Sequence, residues 1–287
     1  MLNIKKILLP VDFPLASLDV ARQAVTLSHH FNSEIVILHV ATAKSHAAGV
    51  PEDSGELSRW DLLAAIIRQA ENLDPSLGPA LKGLNIQCKV VKGDVALAIV
   101  QTAQDENADL IMMSSHSFTF NQFLLGSVTA KVLHGTECPV WTGAHIEGAP
   151  VQEFTIRNVL GAVEFGPRAE ITISWASQLA AEFSARLTLA NVTASVEFWG
   201  PGGSYVNEKW KEELVGNASE QMAKLLQDTG VKAEVFIGSG DVPTVLSQKA
   251  KQSKADLLVN GCYPYAGNLR THGYGIICAV QIPVLSV

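Results

Sequence analysis

Charge is scarce in this 287-residue chain, where only 17% of the residues are Asp, Glu, Lys or Arg. The formal net charge is −7 and the basic residues form no cluster, so a nucleic-acid partner is not expected. Cysteine is scarce too. The four that occur, Cys88, Cys138, Cys262 and Cys278, make no C-x-x-C pair, and buried, reduced thiols are expected rather than disulfides or a zinc site. No apolar run approaches the roughly 18 residues of a membrane helix. The run after Lys6 stops at Pro10, too early for the apolar core of a signal peptide. A cytoplasmic protein with no membrane partner is expected. Signatures of catalysis are missing as well: there is no G-x-S-x-G, no G-K-S/T, no H-E-x-x-H and no paired Cys/His ligand set. No catalytic residue and no metal ligand is assigned.

What is abundant is apolar material, at 47% of the chain, and the length suits about two domains. Ile7-Leu8-Leu9, ending at Pro10-Val11-Asp12, reads as a strand buried on both faces of a parallel sheet. Pro14 opens a helix that reaches about His30, since a proline in a first turn removes only an N–H that lacks a partner there. A second strand covers Glu34 to Val40, and residues 41–56 read as a loop. A helical pattern runs from Leu57 to about Leu73, followed by a loop over 74–83 and a strand over 85–92. Gly93-Asp94 is a turn in which Asp94 caps a helix from Val95 to about Asn107. A buried strand follows from Ala108, then the polar turn Ser114-Ser115-His116-Ser117, a helix from about Asn121 to His134, and a last strand, Pro139-Val140-Trp141. Strands that alternate with helices in this way imply an α/β fold with a doubly wound parallel sheet.

Residues 143–155 have linker character, and beyond them the pattern restarts. A shift of 152 aligns Lys6–Phe13 with Asn158–Phe165, Phe31 with Phe183, and Leu38-His39-Val40 with Ala190-Asn191-Val192. A shift of 147 aligns Gly93-Asp94-Val95 with Gly240-Asp241-Val242, Ala108-Asp109-Leu110 with Ala255-Asp256-Leu257, and Gly126 with Gly273. A shift of 144 aligns Pro139-Val140 with Pro283-Val284. Register held through long segments, with changes only between them, marks a duplicated domain. The expected domains are 1–146 and 154–287.

The start K-K-I-L-L-P-V-D-F, the G-D-V turn, A-D-L-I-M-M-S-S-H-S, L-L-G-S-V-T-A-K-V-L and C-P-V together resemble the universal stress protein family, in a tandem, two-domain form. The resemblance implies two Rossmann-like, adenine nucleotide α-hydrolase-like domains that form a pseudo-twofold pair through their last strands, with further homodimerisation left open. It also implies a stress-response role and a site for ATP or another adenine nucleotide, with Mg accompanying it, and at most slow ATP hydrolysis. ATP-binding members carry Gly-x2-Gly-x9-Gly-Ser/Thr after the fourth strand. Glycines there let backbone N–H groups approach phosphate oxygens, and the next helix N-terminus favours negative charge.

Carried over residue by residue, the resemblance assigns Pro10, Val11 and Asp12 at the end of the first strand and Val40 at the end of the second to the adenosine part. It assigns Ser114, His116, Ser117, Gly126, Ser127 and Val128 to the phosphates. The first half departs from the motif. Ser114 and Ser117 stand where glycines belong, and eight residues rather than nine separate Ser117 from Gly126. The second half departs further, with Pro264 for the second glycine, Tyr274 for the Ser/Thr and Glu164 for the aspartate, so an inactive copy is expected there. Two plainer roles stand beside these. Asp12 serves equally as a helix cap, and Ser115 and His116 as loop hydrogen-bonders. The alternative function is that of an interaction or scaffold protein, which binds a partner protein or an apolar small molecule instead of a nucleotide.

Overall fold

The computed structural model describes residues 2–11, 18–41, 68, 72, 77–114, 125–143, 154–193, 197–200, 203–206, 208–262 and 272–287. The chain divides into two compact units, Asn3–Phe154 and Thr155–Val287, the latter including Met1–Leu2.

In the first unit the described elements are β1 (Lys6–Pro10), α1 (Leu18–Phe31), β2 (Glu34–Ala41), α2 (Leu77–Leu81), β3 (Ile86–Lys92), α3 (Val95–Asp105), β4 (Leu110–Ser114), α4 (Ser127–Gly135) and β5 (Val140–Gly143). The strands lie in the order β5-β4-β1-β2-β3, all parallel. The expected α/β, doubly wound architecture is present, and its physical origin is visible in β1. Ile7, Leu8 and Leu9 are all buried, as a strand covered on both faces requires. On β2 the same holds for Ile35 through Leu38.

In the second unit β6 (Asn158–Ala162), α5 (Ala169–Glu182), β7 (Arg186–Thr193), α6 (Glu208–Thr229), β10 (Glu234–Ser239), α7 (Val242–Gln252), β11 (Leu257–Asn260), α8 (His272–Ala279) and β12 (Val284–Ser286) repeat the plan. Their strand order, β10-β7-β6-β11-β12, is the same sequence of positions as in the first unit. An added antiparallel hairpin, β8 (Glu197–Gly200) with β9 (Gly203–Val206), precedes α6.

The duplication extends to single bonds. Asp109 accepts the backbone N–H groups of Lys5 and Lys6 at 2.8 and 2.9 Å, and Asp256 accepts those of Arg157 and Asn158, both at 2.8 Å. Asp94 caps α3 by accepting from Leu97 N at 3.1 Å, and Asp241 caps α7 by accepting from Thr244 N at 3.0 Å. Before each cap stands a glycine at positive φ, +146° at Gly93 and +133° at Gly240, a conformation that a Cβ disfavours.

Several sequence expectations are corrected. The stretch 74–83, expected as loop, contains the short helix α2, with Pro79 inside it. The helix expected from about Asn121 begins at Ser127, because Leu125 and Gly126 are not helical. The strand expected as Pro139-Val140-Trp141 spans Val140–Gly143, since proline has no N–H for a ladder bond. Of the four cysteines only Cys88 is buried. Cys138, Cys262 and Cys278 are half-buried, and all four are free thiols. Of the helix expected over 57–73 only Arg68 and Asn72 are described, both helical, and the helix start at Pro14 lies outside the described residues.

Candidate ligand crevice in the first half

Successive strands of the first unit run outward from β1 in opposite directions, β2 then β3 on one side and β4 then β5 on the other. The crossovers therefore leave β1 and β4 toward opposite faces, which makes the carboxyl ends of these two strands the switch point of the sheet. Open parallel sheets place ligands at such a point. Pro10 ends β1 and Ser114 ends β4, so both lie at the switch point. Val40 is the penultimate residue of β2, at the same end of the sheet.

The segment after β1 is held tightly. Val11 N–H donates to the Leu38 carbonyl at 2.9 Å, and the Val11 carbonyl lies 3.2 Å from Nδ1 of His39. Both partners come from consecutive residues of β2.

On the other side of the switch point, α4 is fastened to β4. Thr129, buried in its first turn, donates its hydroxyl to the Ser114 carbonyl at 3.1 Å. This contact carries the start of the helix to the strand end, and with it Gly126, Ser127 and Val128. Gly126 is the N-cap and makes no side-chain cap bond. Helix α3, in contrast, has its cap from Asp94. The first N–H groups of α4 thus receive no cap from the side chain of their N-cap residue, and a helix start of that kind attracts anions. Gly126 itself does not need the left-handed region. Its φ is −58° and ψ 138°, a region open to any residue. What glycine supplies is the absence of a side chain over the helix start.

The structure thus brings Pro10, Val11, Val40, Ser114, Gly126, Ser127 and Val128 to one end of the first sheet. Asp12, Ser115, His116 and Ser117 lie outside the described residues. His39 was missed by sequence reasoning, although a histidine at the end of an otherwise apolar strand is itself a signal. Lys131 of α4 lies 3.9 Å from Asp94, but both side chains are more than half exposed, so the pair contributes little. Among the described residues no cluster of His, Cys, Asp and Glu could hold a metal ion. No described helix is long and apolar enough to cross a membrane.

The family model for the universal stress protein family matches twice, over residues 3–142 and 155–265. The chain belongs to the universal stress protein family. A universal stress protein of Methanocaldococcus jannaschii is 30% identical over 142 residues, which cover 47% of this chain and 79% of that one. A second from the same organism is 27% identical over 150 residues, covering 47% of this chain and 92% of the relative. Each therefore matches about half of this chain. A universal stress protein of Archaeoglobus fulgidus superposes with a TM-score of 0.67 at 20% identity, covering 98% of this chain and 97% of that one. A functionally unknown protein of Pseudomonas aeruginosa gives 0.69 at 15% identity, with 99% and 92% covered. These two share the fold over nearly the whole length.

The second universal stress protein repeat has a differently built crevice. Gly261, at the place of Ser114, packs so closely on α5 that a Cβ would lie 3.1 Å from both Arg168 Cβ and Thr172 Oγ1. That glycine is explained by helix packing. Gly273, at the place of Gly126, sits within α8 instead of preceding it, because the helix starts at His272. Tyr274 follows at the place of Ser127. Burial, reinforced by nearby Cys262, pushes its phenol up to about 12. The phenol stays protonated at neutral pH, and its ring takes up space where the first repeat has a serine.

Proposed function

We propose that this universal stress protein is a stress-response regulator that binds ATP or another adenine nucleotide in the first repeat, and that the second repeat has lost the site. The observation that carries this reading is the side-chain-uncapped start of α4, fastened by Thr129 to the end of β4 on the rim of the switch-point crevice. The phosphates would lie against the first N–H groups of α4, with the Ser127 hydroxyl as a further donor. The segment Pro10-Val11-Asp12 and the end of β2 at Val40 would hold the adenosine part. Mg would accompany the phosphates as part of the ligand. The role is one of binding and signalling, with at most slow ATP hydrolysis.

The test is direct. Protein purified without added nucleotide, denatured and separated by anion exchange, is expected to release ATP, ADP or AMP. The purified protein is expected to gain thermal stability with millimolar Mg-ATP. A clean preparation together with no thermal shift would overturn the reading and favour the interaction protein. Asp12→Ala is expected to abolish binding, and Glu164→Ala to leave it intact. Equal effects would reverse the assignment of the active repeat. We also propose that the domain limits 1–146 and 154–287 delimit the two repeats.

A further inference from the structure

We propose that the foot of the first repeat is a second ligand site, for a monosaccharide-sized polyol that carries one acidic group. A cavity of about 460 Å³ lies there, at the amino ends of β1, β2 and β3, and its lining is mostly polar. The nucleotide reading concerns the other end of the sheet, so the two stand apart. Three stretches wall the cavity: the lead into β1, the turn from α1 to β2 and the turn from α2 to β3. They are tied to one another. Ser33 donates its hydroxyl to the Ile4 carbonyl. Glu34 N–H donates to the Lys5 carbonyl at 2.7 Å, and Ile35 N–H to the Asn85 carbonyl at 2.8 Å. His29 Nε2 lies 2.8 Å from the Ala80 carbonyl. The cavity is thus preformed, as small-molecule sites usually are.

The lining selects the ligand. Among the described residues, the Lys5 ammonium and the side-chain amides of Asn3, Asn32 and Asn85 make no hydrogen bond or ion pair. A carboxamide offers donors and an acceptor together, and a hydroxyl uses both. Three carboxamides therefore suit a polyol, whereas a bare anion would leave their oxygens unpaired. Glu34, the acid of the lining, is already held by Lys6 and Gln87, so Lys5 is left to meet one acidic group on the ligand. Phe31 and Leu84 supply apolar surface for the carbon face of a sugar ring.

Solvated surface side chains are the plain alternative, and the internal duplication speaks against it. The second repeat keeps the frame of this foot. Phe183 stands for Phe31, and Gly230 for Gly83, with φ of +68° and +85°. Arg186 N–H donates to the Arg157 carbonyl at 2.8 Å, as Glu34 does to Lys5. The cation is kept too, as Arg157, but none of the amides is. Thr155, Ser184 and Lys232 stand for Asn3, Asn32 and Asn85. Ser184 even adopts the backbone conformation of Asn32, at φ 52° against 55°. The fold needs the frame and does without the amides.

The second repeat also names replacements that this backbone accepts. Binding to the full chain is followed by saturation-transfer NMR and isothermal titration calorimetry, with glucose-6-phosphate, ribose-5-phosphate and glucuronate as probes. The phosphates and the carboxylate separate the two forms of the acidic group. At least one probe is expected to bind, and to weaken about tenfold when Asn3→Thr, Asn32→Ser and Asn85→Lys are combined. Lys5→Gln is expected to bring that probe down to the affinity of its neutral parent sugar. If the combined variant does not fold, Asn85→Lys alone makes the same comparison. No binding of any probe by the wild-type chain would overturn the proposal, as would unchanged binding in the variants. Inorganic phosphate that competes as well as the sugar phosphates would mean an adventitious ion only, with the same consequence. Displacement of the probe by Mg-ATP would put it at the switch point and overturn the proposal too. Failure of Mg-ATP itself to bind would overturn the nucleotide reading and leave this site standing.

Discussion

Thr129 donates its hydroxyl to the carbonyl of Ser114, fifteen positions earlier, at 3.1 Å. One bond thus sets where the first turn of α4 meets the end of β4. Thr129→Val keeps the shape and leaves the carbonyl without this donor. The expected cost is about 1 kcal/mol in a urea denaturation of the full chain. Mg-ATP affinity is expected to fall with it, whereas Thr172→Val in the second repeat should alter stability without altering affinity.

Glu106 receives Lys6 and Lys89 at the foot of the first sheet, with Lys6 Nζ at 2.8 Å. The hydrogen bonds from Lys6 and then Lys89 lower its carboxyl below the usual 4.5, and the bond to Glu106 raises Lys6 above 10.5. The signs differ. A lowered carboxyl stabilises the fold above its unfolded pKa, and that share is lost as pH falls through the folded value. A raised lysine stabilises below 10.5, and its share is lost as pH rises through the higher folded value. The stability gap between wild type and Glu106→Gln is therefore expected at pH 7 and expected to close below the carboxylate range. Denaturation series at pH 7 and in acid measure it.

Gly261→Ala places a Cβ 3.1 Å from Thr172 Oγ1 of α5 and from Cβ of its N-cap residue, Arg168. The expected cost is about 1–3 kcal/mol of stability. Since the glycine serves packing, nucleotide affinity in the first repeat should not move. A variant of wild-type stability would show that α5 yields easily.

Cys88 and Cys138 are expected to resist modification in the native state. Burial pushes the Cys88 thiol up to about 11. Burial, followed by the charge of Asp109, pushes Cys138 up to about 12, and its Sγ donates to the Ala108 carbonyl at 3.1 Å. Little thiolate exists at neutral pH in either. Timed alkylation with mass spectrometry should find both unlabelled until the protein is unfolded. Rapid native labelling of Cys138 would contradict its packing.

Much of this was legible from sequence where the cause is local. The G-D-V turn announces itself twice, because positive φ calls for glycine and an uncapped helix start calls for aspartate, both within three residues. The added hairpin could also have been read, since Gly200-Pro201-Gly202-Gly203 separates Phe198-Trp199 from Tyr205-Val206. Asp109 was visible as a marker of the repeat, but its task was not. The N–H groups that it accepts lie more than a hundred positions away in the chain.

The amino-acid sequence alone determined the α/β class, the doubling and the family, because periodic burial and local turn chemistry are written residue by residue. The tertiary structure alone decided what each glycine and polar residue near the crevice does. Gly126 leaves a helix start uncovered, and Gly261 lets a helix approach. Such roles depend on which groups the folded backbone brings within hydrogen-bonding or van der Waals reach, and residue identity does not encode that distance.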